Sequence, residues 1–351
     1  MWKENLRATT HAIKRIYSPL LTFSLCLAVN ATFAVGNVAA DRLSKQVKPR
    51  ETEVLTFKSG DLWVRWDGIF MSHEKSRLRE WLTQSVDSIT TINGQLPLPS
   101  TRVVIEKTDQ LSSRRSGRSP VPWGEVIRDG VEGVRFVVDL SRSQDEFLTD
   151  WTAPHEFSHL FLPYLSLSDR WLSEGFASYY QNLAMARAGV ISPKTAWENL
   201  YHGFERADRD KNNHKTLEEV STKRRALRAT MRVYWSGALF FLQADAALRE
   251  RYPDRSLDSV VTEFNHCCRY ATRHWSGKAL MSDFDEIVGE PLFVPLYKQY
   301  RASLAIPDYQ SLMEELGLHM MAEDMQLDIS SQNVQTAIRD AIMAPRQRGP
   351  R

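Results

Sequence analysis

Cysteine is scarce in this chain of 351 residues: there are three, and two of them, Cys267 and Cys268, are neighbours. That scarcity excludes a fold framed by disulfides. A bridge between adjacent cysteines is strained, so the pair reads as two small buried residues on a helix. A bias of charge is also missing. The formal net charge is +2, and Lys3, Arg7, Lys14 and Arg15 against Glu4 in the first forty residues account for all of it. The remainder is slightly acidic, and nothing in the overall charge points to nucleic acid. No internal repeat is present, which excludes a solenoid or propeller.

What is present suits a soluble globular protein: 42% apolar and 25% charged residues, in a length that permits one large domain or two modest ones. Residues 1–40 read as an export signal. A basic segment ends at Arg15, SPLLTFSLCLAVNATFAVG supplies an apolar stretch, and VGNVAADR places Val38 and Ala40 before a cut at Asp41. An uncleaved anchor is the alternative, because the stretch is close to the length that spans a bilayer. Both readings put the folded part outside the cytoplasm, periplasmic or secreted, and only the second involves a membrane.

Residues 41–144 read as a mixed, strand-bearing subdomain. EVLTFKSGDLWVRW alternates around a turn at Ser59-Gly60, a helix runs from Ser72 towards Asn93, and TRVVIEK and VRFVVDLS read as strands. SSRRSGRSP, between those strands, reads as an exposed basic loop. Residues 145–329 read as helical: QDEFLTDWTAPHEFSHLFL with Pro154 in a first turn or at a kink, then DRWLSEGFASYYQNLAMARAG. Ser192 caps the next helix with Pro193 at its first position, and a long apolar helix follows around YWSGALFF. Lys223 to Arg232 reads as the solvated face of a helix, and residues 330–351 as a polar tail.

One stretch carries chemistry. In HEFSH, His155 and His159 are four residues apart, so on a helix both reach the same metal ion. Glu156 falls beside the ligand pair, where a base is needed to take a proton from water. A hydrolytic zinc centre takes three protein ligands and leaves one position open, and two histidines with one glutamate is an established set. Glu174, one turn into the following antiparallel helix, is the candidate third ligand. Ser178 and Asp150 are candidate partners for the histidines. His202, His214, His266 and His274 are not at ligand spacing to one another and read as structural or solvated.

HEFSHLF followed by RWLSEGFASYY resembles the gluzincin peptidases, specifically the thermolysin-like aminopeptidases and the glycyl aminopeptidase family. Trp171-Leu172-Ser173-Glu174-Gly175 matches their W-x-x-E-G motif, which holds the third ligand. Tyr234-Trp235-Ser236-Gly237 matches their Y-x-x-G motif, with Ser236 where the family usually has lysine. The resemblance implies that the Tyr234 hydroxyl stabilises the tetrahedral oxyanion. It also implies a glutamate that anchors the substrate's free amine, on the strand before the metal helix. Glu132, in Asp129-Gly130-Val131-Glu132-Gly133, occupies about that place, although a turn rich in Gly and Asp explains the same residues. Only fourteen residues separate His159 from Glu174, fewer than usual, so the loop shaping the substrate pocket is trimmed.

The expected fold is therefore α+β: a thermolysin-like metallopeptidase core, with a strand-bearing N-terminal subdomain packed on a mainly helical C-terminal one. The expected function is a zinc peptidase holding one Zn2+ on His155, His159 and Glu174, with Glu156 and Tyr234 catalytic and a peptide or protein as substrate. An aminopeptidase follows from the resemblance. An endopeptidase follows if Glu132 is only a turn residue, and a non-catalytic binding protein is the rival of another class. Another divalent ion suits the same ligands, and the sequence leaves the oligomeric state open.

Overall fold

A strand-bearing half carries a five-stranded sheet. Strands β1 (Arg50–Phe57) and β2 (Gly60–Asp67) form the hairpin that turns at Ser59-Gly60, and helix α1 (Ser72–Ile89) follows. β3 (Ser100–Lys107), β4 (Trp123–Ile127) and β5 (Gly133–Val138) complete the sheet in the order β1-β2-β3-β5-β4. β3 runs parallel to β2 and to β5, whereas β4 is an antiparallel edge strand beside β5. The computed structural model describes residues 50–108, 119–269, 275–321, 324–327 and 332–345. The segment expected to direct export, most of the basic loop and His274 lie outside them.

Helices dominate the rest. α2 (Gln144–Leu148) and α3 (Thr152–Ser158) precede a 3-10 turn at His159–Phe161, and a further one at Leu167–Asp169 leads into α4 (Arg170–Arg187). α5 (Pro193–Asp208), α6 (Leu217–Thr222), α7 (Arg224–Leu227), α8 (Thr230–Arg251) and α9 (Leu257–Cys267) follow. α10 (Gly277–Val288), α11 (Phe293–Ala302), α12 (Tyr309–Glu315), the hairpin β6 (Leu318–Met321) and β7 (Asp324–Leu327), and α13 (Val334–Met343) close the described chain. Residues 48–351 group as one compact unit. Within the stretch expected to be a polar tail, α13 buries Ile338, Ile342 and Met343, an apolar face that Arg339, Asp340 and the polar residues before it disguise in the sequence. Among the described residues no helix is long and apolar enough to cross a membrane.

The sheet and the helices share one core, and aromatic contacts join them at the metal helix. Trp81 of α1 packs edge-on against Phe136 of β5 at 5.1 Å, and Phe136 meets Phe157 of α3 at 6.0 Å. Phe157 thus fixes α3 against the sheet from one face and leaves His155, Glu156 and His159 for the other. Pro154 falls in the first turn of α3, where its missing N–H costs nothing.

α4 and α8 pass at backbone contact where Gly175 meets Gly237. A Cβ added to Gly175 would lie 2.2 Å from the Gly237 backbone, and one added to Gly237 would lie 2.0 Å from the Trp171 carbonyl oxygen. The glycines of the two motifs therefore let two backbones touch, which brings Glu174 and Tyr234 to the same place. Buried polar contacts tie α4 to α8 and to α9 further along. The Tyr179 hydroxyl donates to Asp245 at 3.0 Å, and the Tyr180 hydroxyl donates to Asp258 at 2.9 Å, where Arg187 also pairs at 3.1 Å. These tyrosines are core residues, not a wall of the substrate site.

The adjacent cysteines depart from expectation: Cys267 and Cys268 are joined as a disulfide at the end of α9. The helix ends there, at a Cys268 backbone outside the helical region, so the pair is not confined by helical geometry.

Candidate metal centre

The sites on α3, α4 and α8 converge. One ligand atom from each of His155, His159 and Glu174 lies within 4.8 Å of the others. Nε2 of His155 is 3.6 Å from Glu174 Oε2, and Nε2 of His159 is 3.4 Å from the same oxygen. The imidazole rings stand at 89° to each other, so their Nε2 atoms converge from different directions. On the far sides of the rings, Nδ1 of His155 is 2.7 Å from Gln181 Oε1 and Nδ1 of His159 is 3.0 Å from Ser173 Oγ. An Nδ1–H donating to those oxygens leaves each Nε2 lone pair for a cation. Two imidazole nitrogens and a carboxylate oxygen, three in number and nearly buried, are a donor set that fits zinc.

The histidines' partners are therefore Gln181 and Ser173, not the expected Asp150 and Ser178. Asp150 is turned away, accepting from the Ser119 hydroxyl at 2.8 Å and from the Thr152 N–H at 2.8 Å. Gln181 lies seven residues after Glu174 on the same face of α4, a spacing that the sequence offered. Ser173 precedes Glu174 directly and carried no such signal.

Glu156 sits under the edge strand β4. A Cβ at Gly124 would fall 2.7 Å from Glu156 Cγ, so only glycine lets the strand pass this close. Burial pushes the Glu156 carboxyl above the ordinary carboxylate range, partly offset by the two histidines. β4 is the element at this site that sequence reading missed. Its residues, WGEVI, are few, one exposed and four half-buried, and the alternation of a strand barely shows in five positions.

Tyr234 stacks on His155 at 5.9 Å with ring planes 13° apart. Its hydroxyl accepts a hydrogen bond from Arg224 Nη1 at 2.9 Å, and the same nitrogen is 3.8 Å from Glu174 Oε1. Burial, and then the charge of Glu174, push the tyrosine hydroxyl well above its ordinary value, with Arg224 opposing. The phenol is thus a donor throughout the physiological range. Arg224 corrects the reading of Lys223 to Arg232 as a solvated face. The segment is broken into α7 and α8 by Arg228 in the left-handed region (φ 53°), which turns Arg224 into the site. Arg232, from the same run, is buried with its guanidinium on the carbonyls of Asn212, Lys215 and Ser303.

Glu132 lies in a different setting. Arg128 meets it at 2.8 Å and Arg269 at 2.5 Å. Those arginines donate in turn to the carbonyls of His159, Leu160 and Leu162. The carboxylate holds the cations that cap the end of the metal helix, and it is absent from the lining of the cavities at the metal centre. The carboxylate from this region that does line the cavity is Glu125 of β4, two residues from its end, which also pairs with Arg135 at 3.1 Å.

Two cavities meet at Tyr234. One, of about 310 Å³, is lined by Glu125, Glu156, His159, Glu174 and Arg224 among others. The second, of about 320 Å³, lies beyond His155 and is walled by Trp151, Met185, Ile191 and Trp235.

Residues 165–240 match the model of the M61 glycyl aminopeptidase family. No curated protein matches the chain in sequence. Among solved structures, the chain is similar to an aminopeptidase N family protein from Idiomarina loihiensis, with TM-score 0.57 and 15% identity over 77% of this chain and 49% of that one. It is also similar to an M1 zinc metallopeptidase from Deinococcus radiodurans, with TM-score 0.44 and 16% identity over 74% and 52%. The chain spans about half the length of these proteins. Residues 165–240 thus match a peptidase family model, and the fold is similar to that of the aminopeptidase N family protein, mixed α+β with an N-terminal sheet and a helical C-terminal part.

Proposed function

We propose that the protein is a zinc-dependent peptidase that hydrolyses peptide bonds, and that it acts as an aminopeptidase. The observation that carries this reading is the convergence of His155, His159 and Glu174 with Glu156 on one side and the Tyr234 hydroxyl on the other. A zinc ion held on the three ligands supplies Lewis acidity, acidifying water and polarising a carbonyl. Glu156, in its low-dielectric position under Gly124, takes the proton from the attacking water and passes it to the leaving amine. The Tyr234 hydroxyl, with Arg224 behind it, donates to the oxygen on which negative charge develops. That contact is stronger in the transition state than in the ground state, so it lowers the barrier and not only KM.

The aminopeptidase reading needs a carboxylate for the substrate's amine, and Glu125 is better placed for it than Glu132. Glu125→Gln should reduce cleavage of peptides with a free N-terminus while leaving N-blocked peptides alike; if N-blocked peptides are the preferred substrates of the unaltered protein, the enzyme is an endopeptidase. A binding protein without turnover has no need of Glu156, so equal behaviour of the unaltered protein and Glu156→Gln on peptides would favour that rival. Export rests on the basic and apolar halves of residues 1–40. The mass and compartment of the mature protein test it.

A further inference from the structure

We infer that the cavity on the Glu156 side takes peptides carrying a carboxylate within a residue or two of the scissile bond. The inference deepens the peptidase reading and rests on it for the position of that bond. Four arginines line this cavity: Arg128, Arg170 at the start of α4, Arg224, and Arg225 of α7. Of the other charges here, Arg128 pairs with Glu132, and Glu125 pairs with Arg135, which Glu106 shares. Arg170 and Arg225 have no ion pair or side-chain hydrogen bond among the described residues, and Arg170 is half-buried. Arg224 leaves its buried Nε without a partner.

A divalent ion on the three ligands would be balanced by Glu156 and Glu174, which leaves Arg170 and Arg225 as positive charge without a carboxylate partner among the described residues beside the site. A half-buried guanidinium without a partner gains most from a planar anion that accepts its parallel N–H groups. A peptide carboxylate is such an anion, and a concave cavity concentrates the field that attracts it. The carboxylate comes either from an Asp or Glu side chain or from the C-terminus of a short peptide.

Matched peptides test this with the zinc-loaded full chain. One set exchanges Glu for Gln at each position flanking the cut, and a second compares free with amidated C-termini. The inference predicts that kcat/KM is about tenfold or more higher for the carboxylate-bearing member of at least one pair. It predicts that this ratio shrinks as salt rises and falls towards unity in the double variant Arg170→Gln, Arg225→Gln. A Glu/Gln difference assigns the carboxylate to the side chain, and an amidation difference assigns it to the C-terminus. Ratios near unity in every pair, unchanged by salt, overturn the inference while leaving the peptidase reading intact. If no peptide is cleaved, the peptidase reading fails. Calorimetric binding of the same pairs to Glu156→Gln then decides: tighter binding of the carboxylate members upholds the cavity's preference, and equal binding overturns it.

Discussion

At the scale of the residue, the proposed site divides into groups placed to hold a cation and groups placed to handle protons and charge, and the two should respond differently to substitution. Glu156→Gln keeps the ligands and removes the base, so turnover should fall by about 10²–10⁴-fold with zinc content unchanged. Plasma emission on the dialysed protein checks the second half. Tyr234→Phe removes one donor to the developing oxyanion and should lower kcat by about 10²–10³-fold with KM little altered. Arg224→Ala should move kcat in the same direction by less, because it acts through the tyrosine hydroxyl it contacts at 2.9 Å. An Arg224→Ala protein with unaltered kcat would show that the contact has no catalytic consequence. The convergence of His155, His159 and Glu174 was legible because helical spacing is a local rule. Arg224 was not, because a run of basic residues reads as a solvated face, and only a left-handed residue at Arg228 turns it inward. Glu132 was legible as a glutamate near the right place, but its ties to Arg128 and Arg269 join residues far apart in sequence.

At the scale of the element, the metal centre depends on how closely α4 and α8 pass. Gly175 and Gly237 sit at that crossing, with no room for a methyl group on either. Gly237→Ala should destabilise by about 1–3 kcal/mol through overpacking. It should also loosen zinc binding, because the shift is felt at Glu174 and Tyr234. Urea unfolding measures the first effect and a zinc competition titration the second; a stable variant with unchanged affinity would mean that the crossing does not position the site. The helices were readable from capping and periodicity, as Ser192 shows by accepting the Thr195 N–H at 3.0 Å. The strand β4 was not, although it supplies Gly124 and Glu125, because an edge strand of five residues, one exposed and four half-buried, has neither alternation nor a strong apolar signal. The Cys267–Cys268 disulfide escaped for a related reason: whether neighbours bridge depends on where a helix ends, to within one residue.

At the scale of the molecule, sheet and helices share one core, and the metal ligands lie where α3 and α4 leave it. Zinc binds the folded arrangement and not the unfolded chain, so its removal should lower the melting temperature. Zinc at about a thousand times its Kd is worth about 4 kcal/mol. Calorimetry with and without a chelator reads that difference, and a melting temperature that does not move would argue against a bound ion. The measurement that tests the central claim most directly is a mass-spectrometric digest of a mixed peptide library by the zinc-loaded protein beside Glu156→Gln. The account predicts loss of single N-terminal residues with the unaltered protein and none with the variant. Identical peptide patterns from the two proteins would contradict it.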